Sequence, residues 1–327
     1  MDKTNYRQTE YNKPFIIQRA DPYVYRHSDG TYWFTASVPE YDRIVLRKSN
    51  TVDGLAQAEE VTIWRKHENG IMSVHIWAPE IHYVDNKWFI YFAGGDIEDI
   101  WAIRPYVLMC EGDDPLKDPW KEMGMLKRKD AFSFQDFSLD MTVFENMGQW
   151  YCVWAEKVSV GKKISNLYIA RMDSPTSLAT EQVLLTSPDY GWERVDFWVN
   201  EGPAILKHDG KIFLTFSASA TGACYCMGMM YIDENADLLD PHAWTKLRHS
   251  VLKTDEEKGI YGPGHNCFVK AEDGVTDLCV YHARPYDEII GDPLYDPNRH
   301  ARIMKVTYDE KGFPVFVYQK VEETEYL

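Results

Sequence analysis

Short apolar runs separated by polar turns repeat along the whole chain. Most runs are rich in aromatic and β-branched residues and end near Gly, Asn or Asp, which is typical of β-strands joined by tight turns. No long segment has apolar residues at the 3.6-residue spacing of a helix, which argues against α/β folds. The pattern therefore predicts an all-β protein.

One hairpin-like unit recurs five times: an apolar strand, a polar turn and an aromatic-rich strand. The copies are DPYVYRHSDGTYWFTAS from Asp21, APEIHYVDNKWFIYFAG from Ala78, DMTVFENMGQWYCVWAE from Asp140, GPAILKHDGKIFLTFSA from Gly202 and NCFVKAEDGVTDLCVYHA from Asn266. They start 57, 62, 62 and 64 residues apart. Because a second apolar strand pair follows each copy, each unit is expected to contain about four antiparallel strands.

This spacing predicts a five-bladed β-propeller over residues 1–327, with blades that start near 21, 78, 140, 202 and 266. A β-sandwich or two stacked β-domains also have short strands with regular turns, but near-constant spacing favours the ring. No composition break divides the chain, so we expect a single domain. Residues 1–18 are the candidate segment for closing the ring against the last blade.

Charge and terminal composition narrow the range of partners. The formal net charge of −16 repels nucleic-acid backbones and anionic membrane surfaces, so neither is an expected partner. The N-terminal residues contain no apolar segment of the secretory type, which predicts a soluble cytoplasmic protein. Six cysteines without a C-x-x-C pair predict buried, reduced thiols. The oligomeric state is left open.

Three acids stand at the start of the repeated strands, where a propeller places ligand sites. The opening residues are Asp21, Trp77, Asp140, Glu201 and His265. Converging carboxyls lose solvent and repel one another, so one stays protonated while another is ionised, as glycoside hydrolysis requires. A single such acid is usually a turn cap, and a single histidine is usually a core residue. The shared register favours a catalytic site.

Six motifs occur in order over essentially the whole chain: RADPYVY, HIWAPEIHY, SLDMTVF, NEGPAIL, GPGHNCF and HARPYD. Together they resemble family 43 of the glycoside hydrolases. No metalloprotease, serine hydrolase, Walker or dinucleotide-binding motif competes with this resemblance. It implies a five-bladed β-propeller and an inverting hydrolase that acts on arabinose- or xylose-containing oligosaccharides.

The resemblance also implies a role for each matching acid. Asp21 is similar to the general base that activates water, and Glu201 is similar to the general acid that protonates the leaving oxygen. Asp140 is similar to a third acid that orients Glu201 and raises its pKa. Inversion implies that the carboxyls of Asp21 and Glu201 lie about 6.5–9.5 Å apart.

Further matches imply substrate contacts and a metal. Trp77 and Ala78 resemble the wall of the first sugar subsite, and Arg284 resembles the residue that reaches the sugar hydroxyls. His265 resembles a substrate-side histidine near the channel centre, which in many members holds a hydrated calcium ion. The resemblance therefore implies Ca²⁺ at His265, while the chemistry itself requires no cofactor.

Three long loops, at residues 94–105, 186–198 and 284–300, are expected to close the pocket, because the chain ends soon after the fifth repeat. The last loop, with DPLYDPNRH, is similar to α-L-arabinofuranosidases of the family. An intracellular enzyme would meet short oligosaccharides, which favours exo action. We therefore expect an exo-acting α-L-arabinofuranosidase.

Other functions stay open at this point. A β-D-xylosidase, or an enzyme with both activities, is the first alternative, and an endo-arabinanase with an open groove is the second. A sugar-binding propeller without catalysis is the alternative from another class, although all three acids are present. A retaining fructosidase is disfavoured, because its W-x-N-D-P, R-D-P and E-C signatures are missing.

Overall fold

The computed structural model of the protein describes residues 9–158 and 164–320, which form β-strands, turns and loops. Within these ranges the helices are single 3-10 turns at Asp53–Ala56, Gly191–Glu193 and Pro293–Tyr295. None of the helices in this part of the chain has the length and apolar character needed to cross a bilayer. The all-β prediction is confirmed.

Two four-stranded antiparallel sheets come first along the chain. The first contains β1 (Ala20–Arg26), β2 (Tyr32–Ser37), β3 (Arg43–Ser49) and β4 (Val61–Arg65) in that order. The second contains β5 (Ile71–Val84), β6 (Lys87–Asp96), β7 (Asp99–Cys110) and β8 (Lys121–Met125). Both sheets have the strand order that four-stranded repeats predict.

The third and fourth repeats share one nine-stranded sheet. The third repeat supplies β9 (Ser138–Asn146), β10 (Gln149–Lys157), β11 (Ile164–Ser174), β12 (Ser177–Leu178) and β13 (Val183–Thr186). The fourth supplies β14 (Trp198–His208), β15 (Lys211–Ala218), β16 (Cys226–Asp233) and β17 (Thr245–Lys246). A short parallel pairing of β11 with β14, at residues 164–165 and 198–199, joins the two groups.

The fifth repeat departs from the predicted four strands. Its sheet contains β18 (Tyr261–Lys270), β19 (Asp277–Arg284) and β20 (His300–Lys305), while β21 (Thr307–Tyr308) and β22 (Pro314–Val315) pair only with each other. The outer edge of β20 is bonded instead by the N-terminal segment. The N–H of Phe15 donates to the carbonyl of Ala301 (2.8 Å), and the N–H of Ala301 donates to the carbonyl of Ile16 (2.9 Å).

This pairing satisfies backbone groups that an exposed edge strand would leave open. It also places part of the segment predicted to close the ring against the last sheet. Residues 1–8 of that segment lie outside the described residues.

A β-bulge interrupts the first strand of every repeat at the same place. The register shifts between Ala20 and Tyr23, Trp77 and Glu80, Leu139 and Thr142, Glu201 and Ala204, and Gly264 and Cys267. Inside each shift one residue has a positive φ: Asp21 (51°), Ala78 (45°), Asp140 (53°), Gly202 (53°) and His265 (41°). A bulge redirects the neighbouring side chains and is frequent beside active sites. The fifth repeat thus starts at His265, one residue earlier than the sequence pattern predicted.

Side chains from a preceding repeat bond to the backbone at three of these bulges. The bonds run from Ala78 N–H to Ser37 Oγ (2.8 Å), from His265 N–H to Ser217 Oγ (2.6 Å) and from Asp21 N–H to His282 Nδ1 (3.0 Å). Each acceptor residue lies on the second strand of its own hairpin, opposite the residue that directly precedes the bulge on the first strand. The last of these bonds connects the fifth repeat to the first.

Apolar side chains fill the spaces between neighbouring sheets. One core cluster lies between the first and last sheets and includes Ile16, Val24, Phe34, Val269 and Ala301. The six cysteines are free thiols, and all are buried except the partly exposed Cys224, in agreement with the sequence prediction. The N-terminal segment therefore contributes both hydrogen bonds and apolar packing.

Replacing Ile16 with Ala should lower the free energy of unfolding by about 2–5 kcal/mol, because Ile16 is 4% exposed and fills the core between the first and last sheets. The matched control is Ile17→Ala, since Ile17 is 66% exposed and its loss should change stability by less than about 0.5 kcal/mol. Urea unfolding followed by tryptophan fluorescence measures both. Equal stabilities of the two variants would contradict the structural role of the segment.

Candidate active site

One cavity of about 680 Å³ collects side chains from all five repeats. Its lining includes the five strand-opening residues predicted from the sequence, which are Asp21, Trp77, Asp140, Glu201 and His265. The bulges explain this convergence, because each one lies at the same position of a first strand. The predicted site residues therefore meet in one place, although they are far apart in the sequence.

Asp21 is buried, and polar side chains surround its carboxylate. Oδ2 accepts a hydrogen bond from Ser37 Oγ (2.6 Å). The distances from Oδ1 are 3.3 Å to His265 Nδ1, 3.4 Å to His282 Nδ1 and 3.5 Å to Arg299 Nη1. Burial alone would raise the pKa of Asp21, but His265 and Arg299 outweigh burial and hold the pKa well below its ordinary value. Asp21 is therefore ionised at neutral pH.

Asp140 and Glu201 are linked through the backbone of the fourth repeat. Asp140 Oδ2 accepts the N–H of Gly202 at 3.0 Å, directly after Glu201 in the chain. Glu201 Oε1 accepts the hydroxyl of Tyr225 at 2.8 Å. Asp140 thus holds the strand that carries Glu201, and Tyr225 holds the carboxyl group itself.

The pKa values of these two acids shift in the opposite direction to that of Asp21. Burial, together with the charge of Asp140, raises the pKa of Glu201 to about 8. Burial and the charge of Asp21 raise the pKa of Asp140 well above its ordinary value. One cavity therefore contains an ionised carboxylate and a carboxyl group that keeps its proton at neutral pH, which is the pairing that acid and base catalysis needs.

Trp77 forms one wall of the cavity and is itself packed against other aromatic rings. It stacks on His75 at 4.5 Å between ring centroids and meets Tyr41 edge-on at 5.7 Å. Trp101 and Phe137 also line the cavity, each with its ring centroid 6.4 Å from that of Trp77. This wall presents flat apolar faces of the kind that pack against the C–H surface of a sugar.

Ala78, predicted as part of the cavity wall, is not among the residues that line the cavity, and its backbone bonds to a residue that contacts Asp21. Its N–H donates to Ser37 Oγ, and the same hydroxyl donates to Asp21 Oδ2. Ser37 therefore connects the bulge of the second repeat to the carboxylate of the first.

The two arginines near the site have different surroundings. Arg284 is 1% exposed and donates to the carbonyls of Thr221 (2.9 Å) and Pro293 (2.6 Å), so it connects two loops. It is not among the residues that line the cavity. Arg299, which does line the cavity, lies beside Asp21 and donates to the hydroxyl of Tyr41 at 2.6 Å.

His265 lies between two of the acids, with Nδ1 3.3 Å from Asp21 Oδ1 and 3.6 Å from Asp140 Oδ2. Calcium prefers about six to eight oxygen ligands, which one imidazole does not supply. Within residues 9–158 and 164–320, no group of three or more His, Cys, Asp or Glu side chains is arranged to hold a metal ion. For the hydrated calcium that the resemblance implies, the described residues would supply the imidazole of His265, and water would supply the remaining ligands.

The three predicted loops all contribute to the cavity. Trp101 comes from the first, Asp196 and Phe197 from the second, and Pro293 and Leu294 from the third. The first is not an irregular loop, as its sequence suggested, but an extension of the β6–β7 hairpin with a turn between Asp96 and Asp99.

A buried ion pair fixes the second loop. Glu193 is fully buried, and its Oε1 accepts from Lys246 Nζ (2.5 Å) and Asn200 Nδ2 (3.0 Å). Its Oε2 accepts the backbone N–H groups of Asp189 and Tyr190, both at 2.7 Å. Because Asn200 directly precedes Glu201, this pair connects the loop to the catalytic candidate.

Sequence reasoning missed four polar residues that touch the candidate acids: Ser37, Tyr225, His282 and Arg299. A sequence signal existed for two of them. When the hairpins are aligned by their pairing, Ser37 and His282 occupy the same position of the second strand, opposite the residue before the bulge. Tyr225 and Arg299 lie outside the repeated hairpins and carry no such signal.

The profile described as Glycosyl hydrolases family 43 matches residues 11–314 of the chain. The chain belongs to this family. The resemblance inferred from the six sequence motifs is therefore confirmed.

Relatives in family 43 cover most of the chain. An extracellular exo-α-(1→5)-L-arabinofuranosidase of Streptomyces avermitilis is 48% identical over 306 residues, which are 94% of this chain and 63% of the relative. An enzyme of the same name from Streptomyces chartreusis is 47% identical over 287 residues, covering 88% of this chain and 86% of the relative. The chain thus spans less than two thirds of the first relative and most of the second.

A solved structure extends the similarity to the fold. The crystal structure of α-L-arabinofuranosidase from Lactobacillus brevis is 48% identical, with a TM-score of 0.89 and coverage of 95% of this chain and 98% of that chain. Solved family 43 structures of this kind are β-propellers, which agrees with the all-β sheets described above.

The names of these relatives contradict the cytoplasmic location predicted from the sequence. Both Streptomyces enzymes are named extracellular. The prediction depended on the absence of an apolar N-terminal segment, and such an absence does not determine a compartment.

Replacing Ser37 with Ala should lower the free energy of unfolding by about 1–3 kcal/mol, because Ala78 N–H loses its buried acceptor and Asp21 loses a donor. Ser165→Ala is the matched control. Ser165 is a buried cavity residue whose hydroxyl has no hydrogen-bond partner within the described ranges, so its removal should be nearly neutral. Thermal and urea unfolding measure both, and a neutral Ser37→Ala variant would contradict the role assigned to this hydroxyl.

Proposed function

We propose that the protein is an inverting, exo-acting α-L-arabinofuranosidase that removes terminal arabinose from arabinose-containing oligosaccharides outside the cell. The observation that carries the proposal is the set of three acids in one cavity, with the pKa of Asp21 lowered and the pKa of Glu201 raised to about 8. The names of the Streptomyces relatives support the substrate, the linkage and the location.

In this mechanism Asp21 is the general base and Glu201 is the general acid. Asp21 takes a proton from a water molecule, whose oxygen attacks the anomeric carbon of the terminal sugar. The bond between that carbon and the glycosidic oxygen breaks, and the leaving oxygen takes the proton of Glu201. Exchange with solvent then restores both carboxyls. No cofactor enters the reaction, since carboxyl groups carry out both proton transfers.

Asp140 is proposed to support the acid without touching the reacting atoms. Its bond to the N–H of Gly202 positions the strand that carries Glu201. The two neighbouring carboxyls also disfavour each other's ionisation, which contributes to the raised pKa of Glu201. His265, between Asp21 and Asp140, favours the ionised form of the base. These two residues therefore help to separate the pKa values of the acid and the base.

The cavity wall is proposed to bind the terminal sugar. Trp77 supplies the apolar face, and Ala78 fixes the adjacent backbone through Ser37. Arg299, which lies beside the base, is placed to bind sugar hydroxyls, whereas Arg284 supports the loops around them. Residues from three loops line the cavity, which supports a pocket for a chain end over an open groove.

We also propose that the described sheets belong to one five-bladed propeller domain over residues 1–327. The first strands of the repeats contact one another in a cycle: β1 with β5, β5 with β9, β9 with β14, β14 with β18, and β18 with β1. The hydrogen bond from Asp21 N–H to His282 supports the same closure between the fifth and first repeats.

Incubation with an aryl α-L-arabinofuranoside and an aryl β-D-xylopyranoside tests the activity. We expect faster hydrolysis of the arabinofuranoside, and proton NMR should detect β-arabinose as the first product, because inversion changes the anomeric configuration. α-Arabinose as first product would contradict inversion, and a preference for the xyloside would contradict the substrate.

The variants Asp21→Asn and Glu201→Gln should each lower kcat by about 10²–10⁴-fold, because each removes one proton transfer. The matched control is Asp85→Asn, since Asp85 is an exposed turn residue outside this cavity and Asn tolerates its positive φ of 49°. Circular dichroism confirms folding of each variant. Near-normal turnover in either catalytic variant would rule out the role assigned to that residue.

A further inference from the structure

We propose that Tyr225 is a positioning residue that determines which oxygen of Glu201 carries the acidic proton. This inference rests on the proposed function, because it concerns the general acid of that reaction. Tyr225 lies in the loop before β16 and lines the cavity, and its hydroxyl donates to Glu201 Oε1 at 2.8 Å.

The direction of this bond has a chemical consequence for the acid. In a protonated carboxyl group, the carbonyl oxygen is the better acceptor and the other oxygen carries the proton. Because Oε1 accepts from Tyr225, Oε1 is the carbonyl oxygen and Oε2 carries the proton that is transferred to the leaving group. The carboxyl of Glu201 is thereby held in one orientation and one proton arrangement.

Two neighbours on the last sheet restrict the ring of Tyr225, which makes it a rigid support. It stacks on His282 with an angle of 6° between the rings and 5.7 Å between their centroids. Gly264 lies against it so closely that a Cβ atom there would be 2.4 Å from Tyr225 Cε1. Only glycine therefore allows the ring to occupy this place, and Tyr225 is 2% exposed.

The same support connects the acid to the base. His282, on which Tyr225 stacks, accepts the backbone N–H of Asp21 at 3.0 Å. A continuous path thus runs from the carboxyl of Glu201 through Tyr225 and His282 to the strand that carries Asp21. We infer that this path fixes the positions of the two carboxyls relative to each other across the cavity.

Tyr225 keeps its proton under working conditions. Burial, reinforced by the neighbouring carboxyl of Glu201, raises the pKa of Tyr225 well above its ordinary value, so the hydroxyl stays a donor at neutral pH. Its bond also stabilises the ionised form of Glu201, and loss of the bond therefore raises the pKa of Glu201.

The decisive experiment compares leaving groups in the Tyr225→Phe variant. An aryl arabinofuranoside with a strongly acidic phenol departs with little help from a general acid, whereas one with a weakly acidic phenol needs the proton of Glu201. We expect kcat to fall by about 10- to 100-fold with the weakly acidic phenol and by less than about 3-fold with the strongly acidic one. KM should change little in both cases.

The pH profile gives a second readout that a purely structural defect would not produce. Glu201 acts in its protonated form, so its ionisation sets the alkaline limb of kcat/KM. Since Tyr225→Phe raises the pKa of Glu201, this limb should move to higher pH. An unmoved limb, or equal losses with both leaving groups, would overturn the inference.

Two further variants keep the test sound. Tyr281→Phe is the matched control, because Tyr281 is a buried tyrosine on β19 outside the cavity lining, and it should leave both readouts unchanged. Gly264→Ala keeps the hydroxyl of Tyr225 but displaces its ring, and it should reproduce the leaving-group dependence if Tyr225→Phe fails to fold. Absence of that dependence in Gly264→Ala would also overturn the inference.

Failure of the proposed function gives a different result. If the unmodified protein hydrolyses no arabinofuranoside, the proposed activity is wrong. If it does so and Tyr225→Phe behaves like the unmodified protein with both substrates, only the role of Tyr225 is wrong.

Discussion

The site geometry depends on backbone N–H groups at the bulges of four first strands. A residue with positive φ turns the strand there, and its N–H then needs an acceptor that its own hairpin does not provide. At Ala78, His265 and Asp21 the acceptor is a side chain of the preceding repeat. The bond that satisfies the backbone therefore also docks one sheet on the next and fixes where the opening side chains lie.

The same bonds place polar groups around the acids. Ser37 accepts the N–H of Ala78 and donates to Asp21. One hydroxyl therefore bonds both the backbone of the second repeat and the carboxylate of the first. At the fourth repeat the acceptor does not come from a second strand. Asp140, on the first strand of the third repeat, accepts the N–H of Gly202 instead. The same atoms therefore satisfy the backbone hydrogen bonds and position the acids.

The pKa values of the two buried acids shift in opposite directions because their neighbours differ. Arg299, His265 and a hydroxyl donor surround Asp21, and they overcome the cost of removing its charge from water. Glu201 has Asp140 near it and one phenol donor, so burial prevails and its carboxyl keeps the proton. Two carboxyls in one cavity therefore take opposite protonation states.

Local alternation, turn residues and motifs were enough to predict the all-β class, the repeated hairpin, the family and the acids that share a register. Sheet packing decides that Arg299 rather than Arg284 lines the cavity, and that Tyr225 holds Glu201. The reason is distance along the chain: the bond from Asp21 N–H to His282 spans 261 residues. Such contacts are set by how sheets pack, which no local pattern encodes.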